Sequence, residues 1–554
     1  MHRVFREGAV LVGYLIAVVI VLVTKPFVVS GSDGPRVPDA VCASCHRAIY
    51  ERYRTTPMGN ASGMATEGFL PADFTHSVSG VHYKIDQEQG RVWLHFDRDD
   101  PARLLSGKRE LRYFIGSGKR GRTYLFEERG YWFEAPINWY GKKQLWDMAP
   151  NYQSAKEMPL TLPVDPGCLH CHASSVAPSL PGARNHFATA PFAQDGITCE
   201  ACHGDGASHV ATNGKSAMLN PDRLDPIRRD SVCLNCHLEG QVAVNRIGRQ
   251  PNDFKPGDNL FDFTVFFIYS GEVGSGGRAT SQWEALLKSE CMKRSNGRMG
   301  CTTCHDPHGS PGAGQRVAFY RLKCLQCHNS AGFTQNHHPE EQDCTACHMA
   351  RPPSNDIAHE QLTDHWIRKR VNQERLPLAA SGELVTVGGI PASERELGLA
   401  YAQMAARGDS HADAKAKELL RHSEKANSAQ DDTELHSELG FLEQVDGDTK
   451  DAVTEYDEAL QADPFDALAD GNLAVIDAKQ HRLGEALRRW RMVFDHDPSQ
   501  LAAGMNLAIS ECSEGEKAEA LNTLDDILVF SPDDGRARGF SEEIETGKEQ
   551  CTGR

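Results

Sequence analysis

The pentapeptide C-x-x-C-H occurs seven times in this 554-residue chain, and no other feature limits its folding so strongly. The copies hold Cys42, Cys45, His46; Cys168, Cys171, His172; Cys199, Cys202, His203; and Cys233, Cys236, His237. Then follow Cys301, Cys304, His305; Cys324, Cys327, His328; and Cys344, Cys347, His348. Fourteen of the 17 cysteines are used this way, where chance at this composition predicts about 0.02 copies. Two thiols three positions apart can each add to one vinyl group of a haem, and the next histidine then reaches the iron. Zinc knuckles need paired cysteines but no histidine after every pair, and a disulfide framework leaves that histidine unexplained. The motifs therefore imply seven covalently attached haems c, each iron held on one side by a motif histidine. His170 lies inside a motif, too close to its own anchors to reach that iron, and reads as a supporting or surface residue. Of the three other cysteines, Cys512 follows an apolar helical stretch and reads as core, and Cys551 sits in a polar tail. Cys291 is either a packing residue or an unusual contact.

Haem c is assembled outside the cytoplasm, so an export signal is expected. Arg3 and Arg6 precede Ala9–Val23, fifteen uncharged apolar or small residues. That length suits a signal-peptide core and falls short of the ~20 residues a spanning helix prefers. Lys25 and Pro26 interrupt the run, and Val28-Val29-Ser30 before Gly31 permits cleavage. Residues 1–32 are read as a single uncleaved anchor, with a cleaved signal as the alternative. The basic end stays in the cytoplasm and the haems face the periplasm in either case.

The motifs are unevenly spread. The long gap between His46 and Cys168 carries β-prone runs at Val81–Ile85, Val92–Phe96, Leu111–Ile115, Arg122–Phe126 and Tyr131–Phe133. Gly116–Gly121 reads as a hairpin turn rather than a phosphate loop, because no helical pattern follows it. Trp139, Tyr140 and Trp146 read as core aromatics. Beyond Arg368 the pattern changes. Ala452, Ala486 and Ala520 are spaced 34 apart, as are Leu439, Leu473, Leu507 and Pro464, Pro498, Pro532. Tyr456, Trp490 and Leu524 follow each alanine by four. That is the tetratricopeptide period, one helical hairpin per repeat.

The expected class is α+β: a loop-rich multihaem cytochrome c domain with a β-rich insert, followed by an all-α tetratricopeptide solenoid. The boundaries are an anchor at 1–32, a haem domain at 33–367 with its insert at about 76–140, and a linker at 368–391. The repeats cover 392–540 and a polar tail 541–554. Charge divides the same way. From Pro391 onward there are 17 Lys+Arg against 36 Asp+Glu, while the rest of the chain is near neutral within a total of -17. An acidic array repels phosphates, which excludes nucleic acid and favours basic redox partners docking on the repeats.

Seven irons need up to seven further ligands, and what fills those places separates a carrier from a catalyst. The candidates are Met58, His76, His209, His308, His338 with its neighbour His337, His359 and His365. Met58 would give the first haem a higher potential. His82, His95 and His186 are reserves, the first two read as structural on a strand.

The chain resembles multihaem c-type cytochromes with C-terminal tetratricopeptide repeats, related to the cytochromes of nitrification and nitrite reduction. The likeness rests on Tyr113–Gly118, Arg122–Leu125, Asn138–Tyr140, Trp146–Met148, Ile197–Gly204 and Cys344–Met349. His359 and Asp364-His365 add to it, and the resemblance implies that both histidines are distal haem ligands. Two departures matter. Ala279-Thr280-Ser281-Gln282 stands where relatives often have a histidine, so one iron is differently ligated or open. No C-x-x-C-K occurs, which argues against nitrite reduction at a lysine-ligated haem. The resulting reading is a periplasmic electron carrier. The alternatives are an oxidoreductase acting on a small nitrogen or sulfur compound at one open haem, and a scaffold subunit of a membrane respiratory complex.

Overall fold

Strand alternation builds the largest element. Val92, Leu94 and Phe96 alternate with Arg91, Trp93 and His95, and the backbone turns the apolar set inward and the polar set outward. The computed structural model describes residues 36–150, 152–270, 282–330, 332–333, 337, 342–349, 351, 363–369, 382–426 and 431–552.

Nine antiparallel strands form one sheet: β1 (Ser62–Met64), β2 (Ala72–Thr75), β3 (His82–Glu88), β4 (Arg91–Arg98), β5 (Leu105–Ile115), β6 (Gly121–Glu128), β7 (Tyr131–Glu134), β8 (Ile137–Tyr140) and β9 (Leu145–Met148). The order is β2-β3-β4-β5-β6-β8-β9, with β1 on β5 and β7 on β6. The sheet is therefore wider than the expected 76–140. The glycines between β5 and β6 make the hairpin turn: Gly116 has φ 87°, and a Cβ there would stand 2.5 Å from the Gly121 carbonyl oxygen. A short pair, β10 (Ser174–Val176) and β11 (Phe192–Gln194), follows. β12 (Val242–Asn245), β13 (Thr264–Tyr269) and β14 (Leu384–Thr386) make a third sheet. β14 lies in the expected linker 368–391. Its Leu-Val-Thr run has a strand to pair with, so part of that linker is ordered sheet.

The C-terminal part is helical, from Glu394–Ala406 through Gly535–Glu545. Ala452, Ala486 and Ala520 are fully buried, each beside the bulky side chain four residues on, so small and large residues interlock at a fixed period. Glu443, Asp477 and Glu511 are also 34 apart and buried, and each has cationic or hydroxyl partners. Arg421 and Lys417 serve Glu443, Arg489 and Arg482 serve Asp477, and Arg491 and Thr523 serve Glu511. Much of the array's acid is thus neutralised internally.

Both ends of the helical part are fastened to sheets. At its start, Leu399, Tyr401 and Leu439 share a core with Val244, Val265 and Phe267, and the Tyr269 hydroxyl donates to Asp409 at 2.8 Å. At its end, Phe530 enters the core of the nine-stranded sheet and Arg98 pairs with Asp533. Val37–Arg554 is accordingly one compact unit, in which the expected repeats at 392–540 pack against the sheets. No helix among the described residues is long and apolar enough to cross a membrane, and the expected anchor at 1–32 lies outside them.

Candidate functional site

Five of the seven C-x-x-C-H copies have both cysteines within or at the ends of one short helix; the second straddles the end of Pro166–His170, and the sixth that of Arg316–Leu325. One helical turn puts residues three apart on the same side, which is what two vinyl groups require. Aspartates start several of these helices. Asp165 accepts from the Cys168 amide at 3.0 Å, and Asp343 accepts from Thr345 at 3.0 Å. Apolar residues inside the motifs fix them to the frame. Leu169 is buried with Ile115, Leu125 and Trp132, and Leu234 with Leu260, Phe261 and Phe266.

The motifs also meet one another. The thiols of Cys42 and Cys199 interact directly, and Asp39 accepts from the Cys199 amide at 3.0 Å. Cys171 interacts with Cys236, Cys233 with Cys301 and Cys324 with Cys344. Cys236 is also in the field of Cys202, and Cys304 in that of Cys327 and Cys291. Attachment points of the first and third, the second and fourth, the fourth and fifth, and the sixth and seventh motifs thus adjoin. Cys291 lies among the fifth and sixth.

Four motif histidines face a second imidazole. His46 and His209 have ring centroids 6.4 Å apart, His203 and His308 5.8 Å, His305 and His365 6.2 Å, and His337 and His348 5.8 Å. Two imidazoles bonded to one metal from opposite sides have centroids about 6 Å apart, two bonds of about 2 Å plus two ring radii. The residues therefore fit a haem iron between them. The tautomers agree. Nδ1–H donates to a backbone carbonyl in His209 (Ser216, 2.6 Å), His203 (Leu219, 2.9 Å), His348 (Arg368, 2.6 Å) and His365 (Thr363, 3.0 Å). Each thereby leaves Nε2 as the metal-facing atom. Burial, with His365 beside it, pushes His305 down to about 4, so its ring is neutral as a ligand must be.

Other expected ligands are placed differently. His76 is spoken for: Nδ1 meets the Ser79 hydroxyl at 2.9 Å and Nε2 the Gln153 carbonyl at 3.1 Å. It is a buried structural residue beside β2, with no nitrogen left for iron. The ring that faces His46 is that of His209; the Met58 carbonyl accepts from the Ala61 and Ile197 amides. At the seventh motif the described partner is His337, while His338 and His359 lie outside the described residues, as does Ala279–Ser281. His170 has Nδ1 held by Asn252 at 3.0 Å and a buried, unpartnered Nε2. The Cys236 thiol lies 3.8 Å from its carbonyl. Cys512 and Cys551 form a disulfide, so neither is a free core or tail thiol.

Two family models match within this region. "Doubled CXXCH motif" covers residues 295–333, and "Cytochrome c554 and c-prime" covers residues 139–204. By these matches the chain is similar to multihaem c-type cytochromes. C-type polyheme cytochrome OmcB of Geobacter sulfurreducens is 26% identical over 33% of this chain and 20% of its own length. Multiheme cytochrome MtrA of Shewanella baltica is 24% identical over 26% of this chain and 46% of its own length. The matches thus span less than half of either curated relative. The solved structure of outer cell wall cytochrome OcwA aligns over 82% of this chain and 99% of its own, at 14% identity and TM-score 0.37. The relatives are c-type and multihaem cytochromes by name, in keeping with haem c at the C-x-x-C-H motifs.

Proposed function

We propose that the chain is an extracytoplasmic electron carrier with seven covalently bound haems c. The observation that carries this reading is the set of four imidazole pairs spaced for an iron. Haem supplies the redox couple; at the four pairs the protein would hold the iron between two imidazole nitrogens, which leaves no coordination site for a substrate there and suits outer-sphere transfer. The adjoining attachment points bring neighbouring haems close enough for electrons to pass between them. The Cys512–Cys551 disulfide belongs in an oxidising compartment, in keeping with periplasmic placement and an anchor within residues 1–32. The helical part, read as tetratricopeptide repeats, braces the haem region at both ends and offers its outward helices to a redox partner.

A second reading keeps one haem open for a small nitrogen or sulfur compound. Among the described residues no second imidazole is paired with His237 of the fourth motif, and that favours it. Adding carbon monoxide, and separately nitrite, to the reduced protein distinguishes the two. A carrier shows an unchanged haem spectrum; a stoichiometric shift of one haem contradicts that reading and supports the second.

A further inference from the structure

The outward face of the nine-stranded sheet carries a cluster that electron transfer does not use. Asp86 lies opposite Trp93 and Lys84 opposite His95 in the β3–β4 register. Asp86, Glu88 and His95 therefore share the polar face, with His95 diagonal to Asp86. His95 Nε2 stands 3.3 Å from Asp86 Oδ1 and 3.7 Å from Glu88 Oε1. One ligand atom from each of the three lies within 4.8 Å of the others.

Two features distinguish this trio from a surface ion pair. Asp86 Oδ1 and His95 Nε2 are both buried and both lack a hydrogen bond, although only 3.3 Å separates them. The spacing also fits. Ligand atoms bonded at about 2.1 Å in a tetrahedral zinc site sit about 3.4 Å apart, between the two distances seen. Lys84 Nζ holds the other Asp86 oxygen at 2.6 Å, orienting the carboxylate as residues behind a metal ligand do. Lys108, across from His95 on β5, turns instead over the Trp93 ring at 4.2 Å.

We propose that Asp86, Glu88 and His95 bind one divalent transition-metal cation, zinc being the best match, with water completing the coordination. One imidazole with two carboxylates favours zinc over calcium or magnesium, which prefer all-oxygen sites. The Glu88 side chain is 51% exposed, so the trio is open to solvent on that side.

The test is equilibrium dialysis of the haem-loaded protein, stripped with EDTA, against zinc chloride, with bound zinc measured by mass spectrometry. The expected result is one zinc per chain, bound at least tenfold more weakly in both His95→Ala and Asp86→Asn at unchanged haem absorbance. Absence of zinc binding, or wild-type affinity in either variant, overturns the proposal.

Discussion

Arg98 on β4 and Asp533 after the helix Lys517–Phe530 form a two-pronged ion pair, with bonds of 2.9 and 2.5 Å and side chains 5% and 2% exposed. The Met158 amide adds a third bond to Asp533 at 2.8 Å. Removing one partner strands a buried charge, which costs about 3–5 kcal/mol. Asp533→Ala should therefore lower the denaturation midpoint steeply, while Arg98→Met combined with Asp533→Leu costs less than either single change. A midpoint unchanged in Asp533→Ala would show that the pair is not what fastens the helical part. Deleting Pro391–Arg554 should likewise damage the haem region, because Phe530 leaves its core.

The histidine pairs make a selective prediction. His209→Ala, His308→Ala and His365→Ala should each turn one haem from low-spin to carbon monoxide-reactive, read in the reduced-minus-carbonyl spectrum. His76→Ala should leave every haem unchanged, since both its nitrogens are bonded to protein. At the seventh motif His337→Ala should expose the iron in the same way.

How far the sequence disclosed these sites depends on distance along the chain. The C-x-x-C-H motifs and the 34-residue repeat are local spacings and could be read directly, as could the alternation in β3 and β4. His46 meeting His209, and Arg98 meeting Asp533 across 435 residues, are products of the fold. His76 looked free because sequence shows a histidine but not the serine and carbonyl that occupy it. Net charge suggested an acidic landing surface, yet counting cannot distinguish Glu443 and Glu511, buried and paired, from acids open to a partner.

Glu438 gives a pH dependence. Burial, reinforced by Glu434 and Asp466, pushes its carboxyl up from 4.5 to about 7. Because the folded value is raised, its contribution is fully present below about pH 4.5 and is lost as pH rises through about 7. Glu438→Gln should stabilise the protein at pH 8 by on the order of 1–3 kcal/mol and give no gain at pH 4.5. Urea midpoints at both values check this; an equal effect at each would contradict it.

The disulfide closes 39 residues between Cys512 and Cys551. Loop-closure entropy makes that worth about 3–4 kcal/mol. Cys551→Ser should lower the unfolding midpoint of the helical part, and a reducing agent should lower it equally in wild type while leaving the variant unaffected.

Haem stoichiometry tests the central claim most directly. Intact-mass measurement under denaturing conditions, paired with pyridine haemochrome absorbance, counts covalently bound haem per chain. Seven is the predicted result, falling by one when Cys233 and Cys236 are replaced with alanine. Fewer than seven in the wild type, or haem released by acidified acetone, would contradict the reading of all seven motifs as attachment sites.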